Sequence, residues 1–150
     1  MEGQVEPEVI DQPLSELIRA LHRADWDAVD ALSVEIGRHG LGNGLKVIGA
    51  AFAVAVERRF GADATPSDVA AWVSGIRSRQ QGGDPLPVLE MEGLIRAVLG
   101  EPELVDSISP ETALGAELFM LGQLLREADL SPAELDEFTL EAEQLAAEHL

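Results

Sequence analysis

From Val47 to Val73 the chain reads VIGAAFAVAVERRFGADATPSDVAAWV, and 66 residues later, from Ala113 to Thr139, it reads ALGAELFMLGQLLREADLSPAELDEFT without a gap. Five of the 27 aligned positions are identical, among them Gly49-Ala50 with Gly115-Ala116, Ala62-Asp63 with Ala128-Asp129, and Pro66 with Pro132. The substitutions around them conserve physics: Thr65 for Ser131, Asp68 for Glu134, Val69 for Leu135 and Trp72 for Phe138. A further echo lies upstream, where Leu17-Ile18-Arg19-Ala20-Leu21 recurs as Leu94-Ile95-Arg96-Ala97-Val98. Two readings account for this, a pseudo-twofold internal duplication and convergent helix–turn–helix patterning. A duplication requires the second half to have lost about eleven residues, roughly one short helix.

Each copy opens with a segment that is apolar on nearly every side, the mark of a buried helix. The expected architecture is therefore all-α: a single compact bundle of about seven helices around two central apolar ones, at 45–60 and 110–127. Gly49, Ala50, Ala51, Gly115 and Ala116 are expected to let those two backbones approach closely. Half-polar helices at 14–24, 26–37, 66–80, 87–99 and 132–149 would form the shell, since their apolar residues recur at helical spacing and no segment alternates with period two. Helix starts are legible at Thr65-Pro66, Asp84-Pro85, Ser109-Pro110 and Ser131-Pro132, where a capping oxygen precedes a proline suited to the first turn. Ser131 with Glu134 makes a capping box, and Thr65 with Asp68 a shorter-armed one. Residues 1–12 are expected to be an acidic N-terminal segment and 13–150 a single helical domain, with halves at 13–81 and 86–150.

At 150 residues, 46% of them hydrophobic, there is material for one substantial core. Cysteine is absent, which removes disulfides, thiolate metal sites and a cysteine nucleophile. The longest unbroken apolar run, Val47 to Val56, falls far short of the ~20 residues of a membrane span, and the acidic N-terminus has no apolar signal core. A soluble cytoplasmic protein is expected, with no membrane partner.

The net charge of −18 is unevenly placed. Residues 1–34 carry eight acids and two bases, residues 35–96 seven of each, and residues 97–150 thirteen acids against Arg126 alone. The last segment repels phosphate backbones and anionic lipid, so a nucleic-acid partner is not expected and a basic protein partner is permitted. A solvated acidic surface that keeps a small protein soluble accounts for the same charge.

Signals of chemistry are sparse. His22, His39 and His149 lack the spacing that places two ligands on one helix face, so neither a metal nor a cofactor is expected. Gly40 to Lys46 (GLGNGLK) reads as a glycine-rich turn that leads into the first central helix, or as an anion site at that helix start. It neither follows a strand nor keeps a phosphate-loop spacing. Arg58, Arg59, Arg77 and Arg79 form a basic patch, either for an acidic ligand or facing the acidic tail helix. On the buried helices Glu117 is the one interior acid, and one inward acid is not an acid/base pair. Serines occur in no nucleophile context. Trp26, Trp72, Phe52, Phe60, Phe119 and Phe138 fall on apolar stripes and read as core.

The favoured expectation is a non-enzymatic protein–protein interaction module, of adaptor, regulator or immunity type, working through an acidic face of Glu134, Asp136, Glu137 and Glu141. Leu86, Val88 and Leu89 would add an apolar face suited to a homodimer. The alternative is a small-molecule-binding bundle, or an enzyme, with its pocket at the seam between the halves and Arg58, Arg59, Glu117 and Lys46 as its polar groups. A third reading is a nucleic-acid mimic, whose rows of acids imitate a phosphate backbone.

Overall fold

The two apolar stretches form the longest helices of the described chain, α3 (Leu41–Phe60) and α6 (Pro110–Ala128), which pack against one another. Around them lie α1 (Glu8–Arg23), α2 (Trp26–His39), α4 (Pro66–Arg79), α5 (Val88–Val98) and α7 (Pro132–Glu148), with a 3₁₀ segment at Pro102–Ser107. This computed structural model describes the backbone of residues 8–39, 41–61, 63–79 and 87–148, and the side chains of 15–34, 47–61, 63–78, 87–109 and 111–148. Among the described residues there is no strand.

The core is continuous across the bundle. Phe52 and Val56 of α3, Met120 and Leu121 of α6, Leu17 and Leu21 of α1, Ile95 of α5 and Phe138 of α7 are all buried in it. Helix α3 packs on α2, α5, α6 and α7, while α6 packs on α1, α3 and α5. Both central helices are thus covered on several sides, as apolar surface all round requires. The caps follow the sequence. Ser131 and Glu134 exchange backbone N–H bonds at 2.8 and 3.2 Å, and Thr65 and Asp68 do the same at 2.9 and 3.2 Å. Ser109 Oγ accepts from Thr112 N at the start of α6.

Several expectations are corrected. Most of the glycine-rich stretch is not a loop: α3 begins at Leu41, so residues 41–46 are helical backbone, while Gly40 and the side chain of Lys46 lie outside the described residues. Each glycine in a helix costs about 1 kcal/mol, and the buried run that follows offsets it. Helix α1 begins at Glu8 and so takes in part of the expected 1–12 segment. Gly49 and Gly115 are not where backbones approach, since a Cβ on either would meet nothing within 4 Å. Close approach happens at Gly122, where a Cβ would lie 3.5 Å from the Leu21 carbonyl oxygen and 3.4 Å from the Trp26 ring.

The aligned halves also diverge at their ends. Phe60 aligns with Arg126, yet α3 stops at Phe60, with Gly61 at φ +70°, while α6 runs on through Glu127 and Ala128 to Asp129 at φ +53°. Helix α2 has only the six-residue 3₁₀ segment in the corresponding place. Helix α7 packs extensively along α3, but α4 turns toward α5 and makes no equally extensive contact with α6. A cleft opens there.

Candidate functional site

The cleft between α4 and α6, roofed by the end of α3, has a volume of about 790 Å³, within the range of small-molecule sites. Its α4 wall is made of Asp68, Ala71, Trp72 and Gly75. Arg59 and Phe60 come from α3, and Gln123, Arg126 and Glu127 from α6.

One wall is rigid. The Trp72 indole is buried, and its N–H donates to both oxygens of Glu127 at 3.1 and 2.9 Å, satisfying a donor that burial would otherwise leave unpaired. Phe60 meets the indole edge-on, with ring centroids 5.8 Å apart. Arg59 Nε donates to Glu127 Oε1 at 3.3 Å, and its guanidinium lies 5.1 Å from the Phe60 centroid. Arg126 Nη1 donates to the Leu21 carbonyl at 2.8 Å, and its guanidinium stands 5.9 Å from the Trp26 centroid. Burial pulls the Arg126 pKa below its usual value. Asp68 is occupied in the cap of its own helix.

The Arg59–Glu127 pair also borders a second pocket of about 330 Å³ between α3, α6 and α7, where Arg58 lies near Leu124, Leu130 and Phe138. Arg58 bonds Glu141 of α7 and lies 5.3 Å from the Phe138 ring centroid.

The sequence-derived candidates are therefore only partly brought together. Arg59 lines both pockets and Arg58 only the second. Glu117 lines neither; it sits ten residues before Glu127, about 15 Å along the axis of α6. Burial alone pushes its carboxyl up to about 7. Among the α7 acids, Asp136 is ion-paired with Arg19, Glu141 with Arg58, and Glu134 is used in its cap, whereas Glu137 is exposed. Of the apolar trio, Leu89 is 80% exposed, Val88 packs against the core, and Leu86 lies outside the described residues. Among the described residues of the trio only Leu89 is exposed.

Sequence reasoning passed over Trp72, Arg126 and Glu127 as a group. Trp72 was expected in the core and is there, but its N–H binds at the cleft. Trp26 was expected in the core and instead stands 38% exposed, stacked on Phe119 at 6.1 Å. The available signal was Arg126 itself, the one base of residues 97–150.

Among the described residues no three histidines, aspartates or glutamates are grouped to hold a metal ion, and no helix is long and apolar enough to cross a membrane. The chain matches no family model, no curated protein and no solved structure.

Proposed function

We propose that this chain is a non-enzymatic binding module that takes its ligand in the cleft between α4 and α6. The supporting observation is the cleft itself, about 790 Å³ with a Trp72–Glu127 wall held by hydrogen bonds, at the seam where the two aligned segments pack differently. Its ionisable groups speak for binding rather than catalysis. Asp68 caps a helix and Glu127 holds Trp72 and Arg59, so each carboxylate is engaged structurally. A general acid or base works best with a pKa near the operating pH, and the acid that has one, Glu117, is outside the cleft. Filling the cleft tests the reading. Ala71 is exposed on the cleft wall, so Ala71→Trp should keep the fold by circular dichroism and abolish the thermal shifts that a metabolite library gives the native protein. Identical shifts in the two proteins would sink it.

A second reading, an adaptor, regulator or immunity-type module with a basic protein partner, is supported by the thirteen acids of residues 97–150. With Asp136 and Glu141 ion-paired, the acids this reading rests on are Glu137 of α7 and, elsewhere on the chain, the exposed Glu103, Asp106 and Glu111. It predicts a partner released by high salt and lost in a Glu103→Lys/Asp106→Lys/Glu137→Lys variant; retention by that variant would count against it. A homodimer through α5 rests on Leu89, and Leu89→Glu should then lower the sedimentation coefficient. A cytoplasmic location belongs to the same proposal and is compatible with a chain that has no cysteine.

A further inference from the structure

We infer that the cleft selects a small organic monocarboxylate with an apolar body, its carboxylate taken by the guanidinium groups of Arg59 and Arg126 and its body laid against Trp72 and Phe60. This inference rests on the reading of the cleft as a ligand site and adds what kind of ligand it takes.

The cations come first. Arg59 and Arg126 both line the cleft, and each guanidinium is held by an aromatic ring and one protein acceptor: Arg59 by Phe60 and Glu127, Arg126 by Trp26 and the Leu21 carbonyl at the α6 edge of the cleft. A guanidinium carries five N–H donors in a fixed fork suited to a carboxylate. One bond to a protein acceptor orients each group and leaves further donors for a ligand. Groups already fixed lose little entropy on binding, which is the advantage of preorganisation.

The walls define the rest of the ligand. Half-buried Phe60 and the small exposed edge of Trp72 supply aromatic surface, and Ala71 and Gly75 of α4 are too small to fill the space in front of it. An apolar body gains by covering these groups.

Charge then limits the anion. The protein carries a net charge of −18, and Asp68 and Glu127 stand in the cleft walls. Repulsion by that field grows with ligand charge, so phosphate dianions and nucleotides are disfavoured relative to a single carboxylate. An uncharged ligand of the same shape, such as an alcohol, offers the guanidinium donors one neutral acceptor in place of a charged, bidentate one and so binds more weakly.

Fluorescence provides a direct readout, because the chain has two tryptophans and no tyrosine. Trp26→Phe keeps a ring beneath Arg126 and leaves Trp72 as the sole reporter. Octanoate and phenylacetate would be titrated against octanol, 2-phenylethanol, octylamine and inorganic phosphate, with calorimetry in parallel on the native protein. The expected result is a saturable Trp72 response to the carboxylates, with Kd below about 1 mM. Arg59→Gln should weaken it about tenfold or more, the scale of a charge-assisted hydrogen bond. Arg77→Gln, which makes the same charge change at an exposed site outside the cleft lining, should not. Alcohols or amines that bind as well as the carboxylates, or a carboxylate affinity untouched by Arg59→Gln, would overturn the inference while leaving the cleft a ligand site. No saturable response to any probe would overturn both.

Discussion

At the scale of single residues, Glu117 carries the clearest consequence. Its carboxyl is raised from an ordinary 4.5 to about 7 by burial. Between those values the folded chain holds a proton that the unfolded chain has released, so stability falls as pH rises through this window. The cost is absent below pH 4.5 and complete above pH 7, on the order of 3 kcal/mol. Glu117→Gln should therefore raise Tm at pH 8 by roughly 5–10 °C and change it little at pH 4, as read by calorimetric scans at the two pH values. A Tm gain independent of pH would contradict the assignment. The glycines make a second test. Gly115 is exposed within a helix and a Cβ there meets nothing, so Gly115→Ala should stabilise by about 0.5–1 kcal/mol in urea unfolding. Gly122→Ala gains the same helix propensity but sets its Cβ 3.3 Å from Arg126 Nη1 and 3.5 Å from the Leu21 oxygen, so it should gain less or lose stability. Glu117, expected in the interior, is half-buried. The sequence could not tell which glycine was a contact, because a glycine in an apolar helix looks alike whether it faces a neighbour or solvent.

At the scale of elements, capping chemistry was the most legible signal. A capping box needs residues only three apart, so neighbouring sequence is enough to specify it. Both expected boxes form, and Ser131→Ala should cost about 1 kcal/mol of stability by denaturant unfolding, with Thr65→Ala similar. A loss below a few tenths in both would mean the caps are not held in solution. Helix ends were harder to read. The aligned segments share their turn residues, yet α6 runs two residues further than α3, and that extension brings Glu127 to Trp72 and Arg59. The element that builds the cleft is thus the one where the two aligned segments part, which patterning by analogy hides. The glycine-rich start of α3 misled for a different reason: glycine lowers helix propensity, but packing of the adjoining run overrides a weak local preference.

For the whole molecule, the pairings across the N-terminal and C-terminal halves decide how it unfolds. Helix α1 packs on α6 and α7, and α3 packs on α7, so neither half keeps its partners alone. One continuous core runs through both. The chain should unfold in a single transition, with far-ultraviolet circular dichroism and tryptophan fluorescence coinciding in urea. Separate midpoints would show that the halves are independent units. The sequence by itself determined the helical class, the approximate positions of the seven described α-helices, the N-caps of α4, α6 and α7 and the identity of the two central helices, because apolar periodicity and capping are local properties of the chain; the start expected at Asp84-Pro85 lies outside the described residues, and α5 begins at Val88 without a side-chain cap. Only the tertiary structure decided that α7 lies along α3 while α4 turns away from α6, that Asp136 and Glu141 are occupied by Arg19 and Arg58, and that Trp72, Arg59, Arg126 and Glu127 surround one cleft. Those outcomes depend on how helices far apart in sequence share a core, and no local pattern encodes which faces meet.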